Sequence, residues 1–143
     1  MVDIASKAAS VEFLDISKVY PGAKSAAVDH VSLNVETGKL VTLLGPSGCG
    51  KTTTLRMIAG LEMPTSGKIL IGGKDVTSLP ATDRDVSMVF QSYALFPHMS
   101  VRENVEYGLK FSGYPKKEIG ERGMAGLSLV GLQDFGARLP SQL

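Results

Sequence analysis

The chain has 143 residues, 43% of them apolar, with 15 lysines and arginines against 14 acidic residues, a net charge of +1 and one cysteine. That length supports one buried core, and the balanced charge without a basic run gives no footing for nucleic acid. Lone Cys49 excludes an intramolecular disulfide framework, no stretch reaches the roughly 18 apolar residues of a membrane span, and Asp3 and Lys7 interrupt any secretory run, so a cytoplasmic location is the simplest reading.

Residues 1–10 are small and polar and read as a flexible leader. Val11–Ile16 alternates enough for a strand, and Tyr20-Pro21-Gly22 breaks it into a turn. Ala27–Val35 alternates again, with Val31, Leu33 and Val35 on one face. After Thr37-Gly38, Lys39–Leu44 reads as a short buried strand. Thr52–Ala59 reads as a helix with Gly60 as its stop. Pro64–Gly67 is a turn, followed by a short hairpin strand with Ile69 and Ile71 on one face and Gly72-Gly73 beyond. Asp85–Phe90 reads as a second buried strand, ending at Gln91. Ser100 and Glu103 form an S-x-x-E capping box that opens a helix through about Lys110. A further helix over Lys116–Leu132 is expected to be weak or broken, because Gly120, Gly123 and Gly126 each cost roughly 1 kcal/mol relative to alanine.

The segment Gly45-Pro46-Ser47-Gly48-Cys49-Gly50-Lys51-Thr52 fits G-x-x-x-x-G-K-[ST], the Walker A phosphate loop. Strand, glycine loop and helix start together make an anion site, because unpaired N–H groups and the helix dipole point at the ligand. Lys51 would reach the β- and γ-phosphates and the Thr52 hydroxyl would hold Mg²⁺.

Three segments, Gly45–Glu62, Arg84–Val101 and Glu103-Asn104-Val105, together resemble the ATP-binding subunit of an ABC transporter. The last two resemble the bacterial importer group that carries sugars, polyamines, ferric iron or phosphonates. The resemblance covers about Val11 to Leu143. It implies an α/β, P-loop NTPase nucleotide-binding domain of ABC type, N-terminal part only: an antiparallel β portion, a partial parallel core and, from about residue 92, the start of a helical subdomain. The implied cofactors are ATP and Mg²⁺.

By position, the resemblance puts Tyr20 where an aromatic ring stacks on adenine; the alternative is a turn tyrosine covering the core edge. Ala27 falls near a small residue packed on the nucleoside. Gly45, Pro46, Ser47, Gly48, Cys49, Gly50, Lys51, Thr52 and Thr53 would bind the phosphates, with Thr52 on Mg²⁺. Gln91 matches the glutamine that touches Mg²⁺ and the attacking water, an amide being able to orient water without ionising; the alternative is a polar strand-end residue. Lys51 and Gln91 are thus the catalytic candidates. The apolar loop Tyr93–His98, with Leu95, Phe96 and Pro97, matches the segment that meets the transmembrane permease subunits; alternatively it packs under the Ser100 helix. A second ATP-binding subunit, head to tail, is the other implied partner, and the implied location is the cytoplasmic face of the membrane, as a peripheral subunit.

The family also uses four apolar residues ending in Asp-Glu, a Ser-Gly-Gly-Gln signature and a later histidine. These 143 residues contain no Asp-Glu dipeptide, and none of the seven aspartates follows four apolar residues. The chain therefore reads as the front part of a nucleotide-binding domain, able to hold ATP but not to hydrolyse it alone. In the family, strands absent here lie between the phosphate-loop strand and the Gln91 strand, so a chain without them is expected to fold poorly. Rival readings are a non-catalytic nucleotide-binding fragment and another P-loop enzyme such as a small-molecule kinase; Tyr20, Gln91 and the Leu95–Pro97 loop argue against the kinase.

Cys49 reads as a small filler in the phosphate loop, so a reagent added to its thiol would occupy the space expected for phosphate. A thiol-modifying reagent should therefore block nucleotide binding, with ATP protecting the thiol. Equal labelling with and without ATP, read by mass spectrometry, would count against this.

Overall fold

Val11–Lys18 forms strand β1, the middle of a sheet that the computed structural model describes within residues 8–143. Strand β2, Val28–Val35, pairs with one edge of β1, and β3, Ser66–Ile71, with the other. The two-residue β4, Lys74–Asp75, closes the order β2-β1-β3-β4, with every pairing antiparallel. Of the leader expected over residues 1–10, residues 1–7 lie outside the described residues, and the Ser10 carbonyl accepts from the Gly72 amide at 2.9 Å.

Alternation places Phe13 and Ile69 on the covered face, and a bulge in β1 brings Ile16 there too. Helix α1, Lys51–Ile58, sets Met57 among Phe13, Ile16, Val28, Ile69 and Val76. Full burial of side chains this size stabilises by roughly 1.5–3 kcal/mol each, so this cluster decides where α1 lies. A 3₁₀ turn at Ala81–Asp83 follows.

Two expected strands are corrected. Neither Lys39–Leu44 nor Asp85–Phe90 forms a ladder, and Leu40, Leu44 and Val89 are 96%, 89% and 81% exposed. A parallel strand must pair along its edges and be covered on both faces. Among the described residues no strand pairs with either segment, so Leu40, Val41, Leu44 and Val89 stay exposed while Leu43, Val86 and Met88 are half-buried. The partial parallel core is therefore not assembled here, while the antiparallel portion is.

The chain divides into two compact units, one ending at Met88 and one beginning at Val89. In the second, Ser100 caps α2, Val101–Phe111, through the full capping box with Glu103. Helix α3, Lys116–Leu129, is continuous through all three glycines, which corrects the expected break. A Cβ on Gly123 would lie 2.7 Å from Glu106 Cγ, one on Gly120 3.1 Å from an Arg102 guanidinium nitrogen, and one on Gly126 3.6 Å from Val105 Cγ1. The glycines recur every third residue and line the face that receives α2, so close packing offsets their poor propensity. Glu106, buried against this face, is paired with Arg102 at 2.6 Å.

Gly108, on α2, has open space where a Cβ would go. Gly123→Ala should destabilise the second unit by roughly 1–3 kcal/mol through overpacking. Gly108→Ala should stabilise it by roughly 0.5–1 kcal/mol. Amide hydrogen exchange in α2 and α3 reads both, and equal effects would refute the packing account.

Candidate nucleotide site

Gly50 closes the glycine loop at φ 91°, and a Cβ there would fall 2.4 Å from the Ala27 carbonyl oxygen. Only glycine fits between that carbonyl and the helix start. Gly50 is the N-cap of α1 and has no side chain to cap it. The first amides of a helix have no acceptor within it, so those of Lys51, Thr52 and Thr53 are presented outward. The Thr54 amide and hydroxyl both donate to the Gly50 carbonyl, at 2.8 and 3.0 Å, and tie the loop to the first turn.

Lys51 curls back into the loop. Its Nζ donates to the Gly45 and Pro46 carbonyls, both at 2.7 Å, and lies 3.5 Å from Cys49 Sγ. Two of its three N–H groups hold strong acceptors, and the third faces a weak sulfur acceptor that an anionic oxygen outcompetes. Cys49, Ser47 and Thr52 are exposed.

Tyr20 stands beside this helix start, its hydroxyl 3.4 Å from the Thr53 hydroxyl. The Lys18 ammonium lies 5.0 Å from its ring centroid, a cation–π distance. Lys18 is fixed in turn by the Met63 carbonyl at 2.7 Å and the Glu62 carboxylate at 3.0 Å. The Ala27 amide donates to the Lys18 carbonyl at 2.8 Å. Tyr20, Ala27 and Gly45–Thr53, scattered over 34 positions, thus converge around the start of α1.

Gln91 belongs to the second unit. It was expected at the end of a buried strand and instead opens an exposed turn, because the segment before it lacks partner strands. Tyr93 and Ala94 follow in left-handed conformations, φ 59° and 51°, unusual for residues with a Cβ.

The packing alternative for the Tyr93–His98 loop holds at one residue. Phe96 packs on Tyr107 of α2, ring centroids 4.4 Å apart, while Tyr93, Leu95, Pro97 and His98 stay exposed. Asn104, to which the sequence analysis gave no role, shapes this loop. Its Oδ1 accepts from the Phe96 amide at 2.8 Å, and its Nδ2 donates to the Phe96, Met99 and Ser100 carbonyls at 3.0–3.1 Å. An asparagine four residues beyond a cap, where side-chain amides compete for backbone groups, was the available signal.

A glycine loop running into a helix N-terminus, beside an antiparallel sheet, defines a phosphate-loop fold. Comparison with known proteins narrows the class. The family model described as "ABC transporter" matches residues 28–143, and this chain belongs to that family. An Fe(3+) ions import ATP-binding protein of Brucella abortus is 63% identical over 139 residues, 97% of this chain and 39% of that protein. One from Rhizobium meliloti is 66% identical over 134 residues, 94% of this chain and 37% of that protein. The chain thus spans about two-fifths of the length of the curated relatives it matches. Among solved structures, the ATP-binding cassette MJ0796, a dimer in a post-hydrolysis state bound to ADP and Pi, superposes with a TM-score of 0.81 at 30% identity. That match covers 93% of this chain and 62% of the other.

Glu103 Oε2 accepts from the Ser100 amide at 2.8 Å while the Ser100 hydroxyl accepts from the Glu103 amide. The Ser100 backbone amide first, and the Ser100 side chain second, hold the Glu103 carboxyl below its ordinary 4.5. A carboxylate depressed in the folded state stabilises above its unfolded pKa and loses that contribution as pH falls through the folded one. The Ser100 amide resonance should therefore shift on acidification with a midpoint below 4.5, and Glu103→Gln should abolish the shift. A midpoint above the ordinary value would contradict the assignment.

Proposed function

We propose that this chain forms the nucleotide-holding part of an ATP-binding subunit that couples ATP binding and hydrolysis to solute import across the cytoplasmic membrane. The observation that carries the reading is the convergence of the Lys51 loop, the Thr53–Tyr20 contact and the Ala27–Gly50 approach at one helix start. The names of the relatives, Fe(3+) ions import ATP-binding proteins, support ferric ions as the cargo of the assembled transporter.

In this reading the outward amides of Lys51–Thr53 and the carbonyl-held Lys51 ammonium receive the β- and γ-phosphates. The residues fit the ion as well as the nucleotide: the Thr52 hydroxyl is exposed beside the loop, and magnesium sites of this kind use one or two protein oxygens plus substrate phosphates. Bound Mg²⁺ supplies charge neutralisation between the β- and γ-phosphates. Tyr20 offers its ring to adenine, with Lys18 holding that ring, and Ala27 borders the nucleoside. Gln91 would serve to orient the attacking water and to help hold the metal ion, an amide being able to do both without ionising.

The Tyr93–His98 loop is the docking surface for the transmembrane permease subunits, and a second copy pairs head to tail to close over the nucleotide. Among the described residues no helix is long and apolar enough to cross a membrane; the subunit is peripheral, on the cytoplasmic face. Residues 1–143 bind nucleotide without turning it over, because they supply no Asp-Glu pair for the metal–water shell.

Titration of the natural polypeptide with Mg-ATP and with Mg-tripolyphosphate tests the site. Lys51→Ala should weaken both by roughly tenfold or more, since a hydrogen bond to a charged group contributes about 1.5–3 kcal/mol. Tyr20→Ala should weaken only ATP. Unchanged affinity of Lys51→Ala for either probe would overturn the reading.

A further inference from the structure

Arg84 is a buried cation whose partners are all carbonyls. It is 6% exposed, and none of the ion pairs among the described residues includes it. Its Nη1 donates to the Met57 and Ile58 carbonyls at 2.6 and 3.0 Å. Its Nε donates to Leu79 O at 2.8 Å and its Nη2 to Thr77 O at 3.3 Å. One guanidinium thus ties the C-terminal end of α1 to the turn after β4.

The end of α1 is otherwise completed by its own chain. The Leu55 carbonyl accepts from Ala59, Arg56 from Leu61, and Met57 from Gly60. Ile58 depends on Arg84, and a cation there also complements the negative end of the helix dipole. Gly60, at φ 73°, leaves the space that Arg84 occupies: a Cβ there would lie 2.7 Å from Arg84 Nε and 2.8 Å from the Ala81 amide. The cradle is built around the guanidinium, whose planar fork of donors matches several carbonyls at once as an ammonium cannot.

We infer that Arg84 is a positioning residue for the phosphate cradle, acting through α1 by fixing the helix end opposite Gly50. An eight-residue helix is about 12 Å long, so a tilt allowed at Ile58 misplaces the amides of Lys51–Thr53. The helix then carries a fixed cation at one end and receives phosphate at the other. This inference rests on the nucleotide reading of the loop.

The test uses Arg84→Lys and Arg84→Gln in the natural full-length polypeptide, titrated with Mg-ATP and Mg-tripolyphosphate well below each melting temperature. Arg84→Gln should lose roughly tenfold in affinity for both probes. Their affinity ratio should stay at the wild-type value, because the tyrosine platform is untouched. Arg84→Lys, which keeps a donor for the helix carbonyls, should bind both probes more weakly than the wild type but more tightly than Arg84→Gln, and if Arg84→Gln is too unstable to titrate, wild-type affinity of Arg84→Lys for both probes would overturn the inference. Variants that melt earlier yet bind tripolyphosphate as the wild type does would overturn the inference and leave Arg84 a purely structural residue. A wild type that binds neither probe would instead bring down the nucleotide reading, and the inference with it.

Discussion

Met57 has no solvent exposure, and its burial under Phe13, Ile16 and Ile69 fixes helix α1 against the sheet. Everything proposed for the glycine loop depends on that contact. A helix N-terminus attracts phosphate only if its amides are held in a constant direction, and one methionine cannot prevent rotation about itself. The remaining freedom is removed at the two ends. Gly50 abuts the Ala27 carbonyl at the start, and Arg84 gathers the carbonyls at the finish. Packing sets the position of the helix, and polar contacts set its direction.

The second unit solves a similar problem without a sheet. Its exposed loop carries two residues in left-handed backbone conformations, a geometry that persists only where neighbouring structure over-determines it. The Tyr93 amide donates to the Phe90 carbonyl within that turn, Asn104 holds the following stretch from Phe96 to Ser100 with one side-chain amide, and the Ser100–Glu103 box holds the helix start. The glycine face of α3 lets α2 approach closely, which gives Asn104 a rigid base. Tyr93 and Leu95 can stay exposed while the backbone beneath them is held.

Local signals in the sequence were strong where structure is local. Alternation located β1, β2 and β3, the capping box located the start of α2, and the Walker A pattern located α1 with its stop at Gly60. Tyr20 and Ala27 entered by resemblance alone; Tyr20 lies beside Thr53 and the Ala27 carbonyl beside Gly50. The two apolar runs at Lys39–Leu44 and Asp85–Phe90 misled, because an apolar run records a need for neighbours and not their presence. Helix α3 misled in the opposite sense: propensity counts each glycine as a loss and cannot see Glu106 against Gly123. Arg84 and Asn104 were silent for another reason. Each gathers carbonyls from stretches that meet only after folding, so no spacing in the sequence announces them.

The exposed run around Leu40 and Leu44 has a consequence for biosynthesis. A ribosome delivers the chain from its N-terminus, so β1, β2 and α1 emerge before any later parallel strand exists. Antiparallel pairing of β1 with β2 and β3 needs only the first 71 residues, whereas the two apolar runs stay without a ladder partner among the described residues until something covers them. During that interval Val41, Leu44, Val89 and Phe90 offer short, uncharged, extended segments of the kind that aggregate or are held by chaperones. Lys39 stands at the border of the first run as a charged gatekeeper, and the speed of translation past this point sets how long the newborn protein is vulnerable.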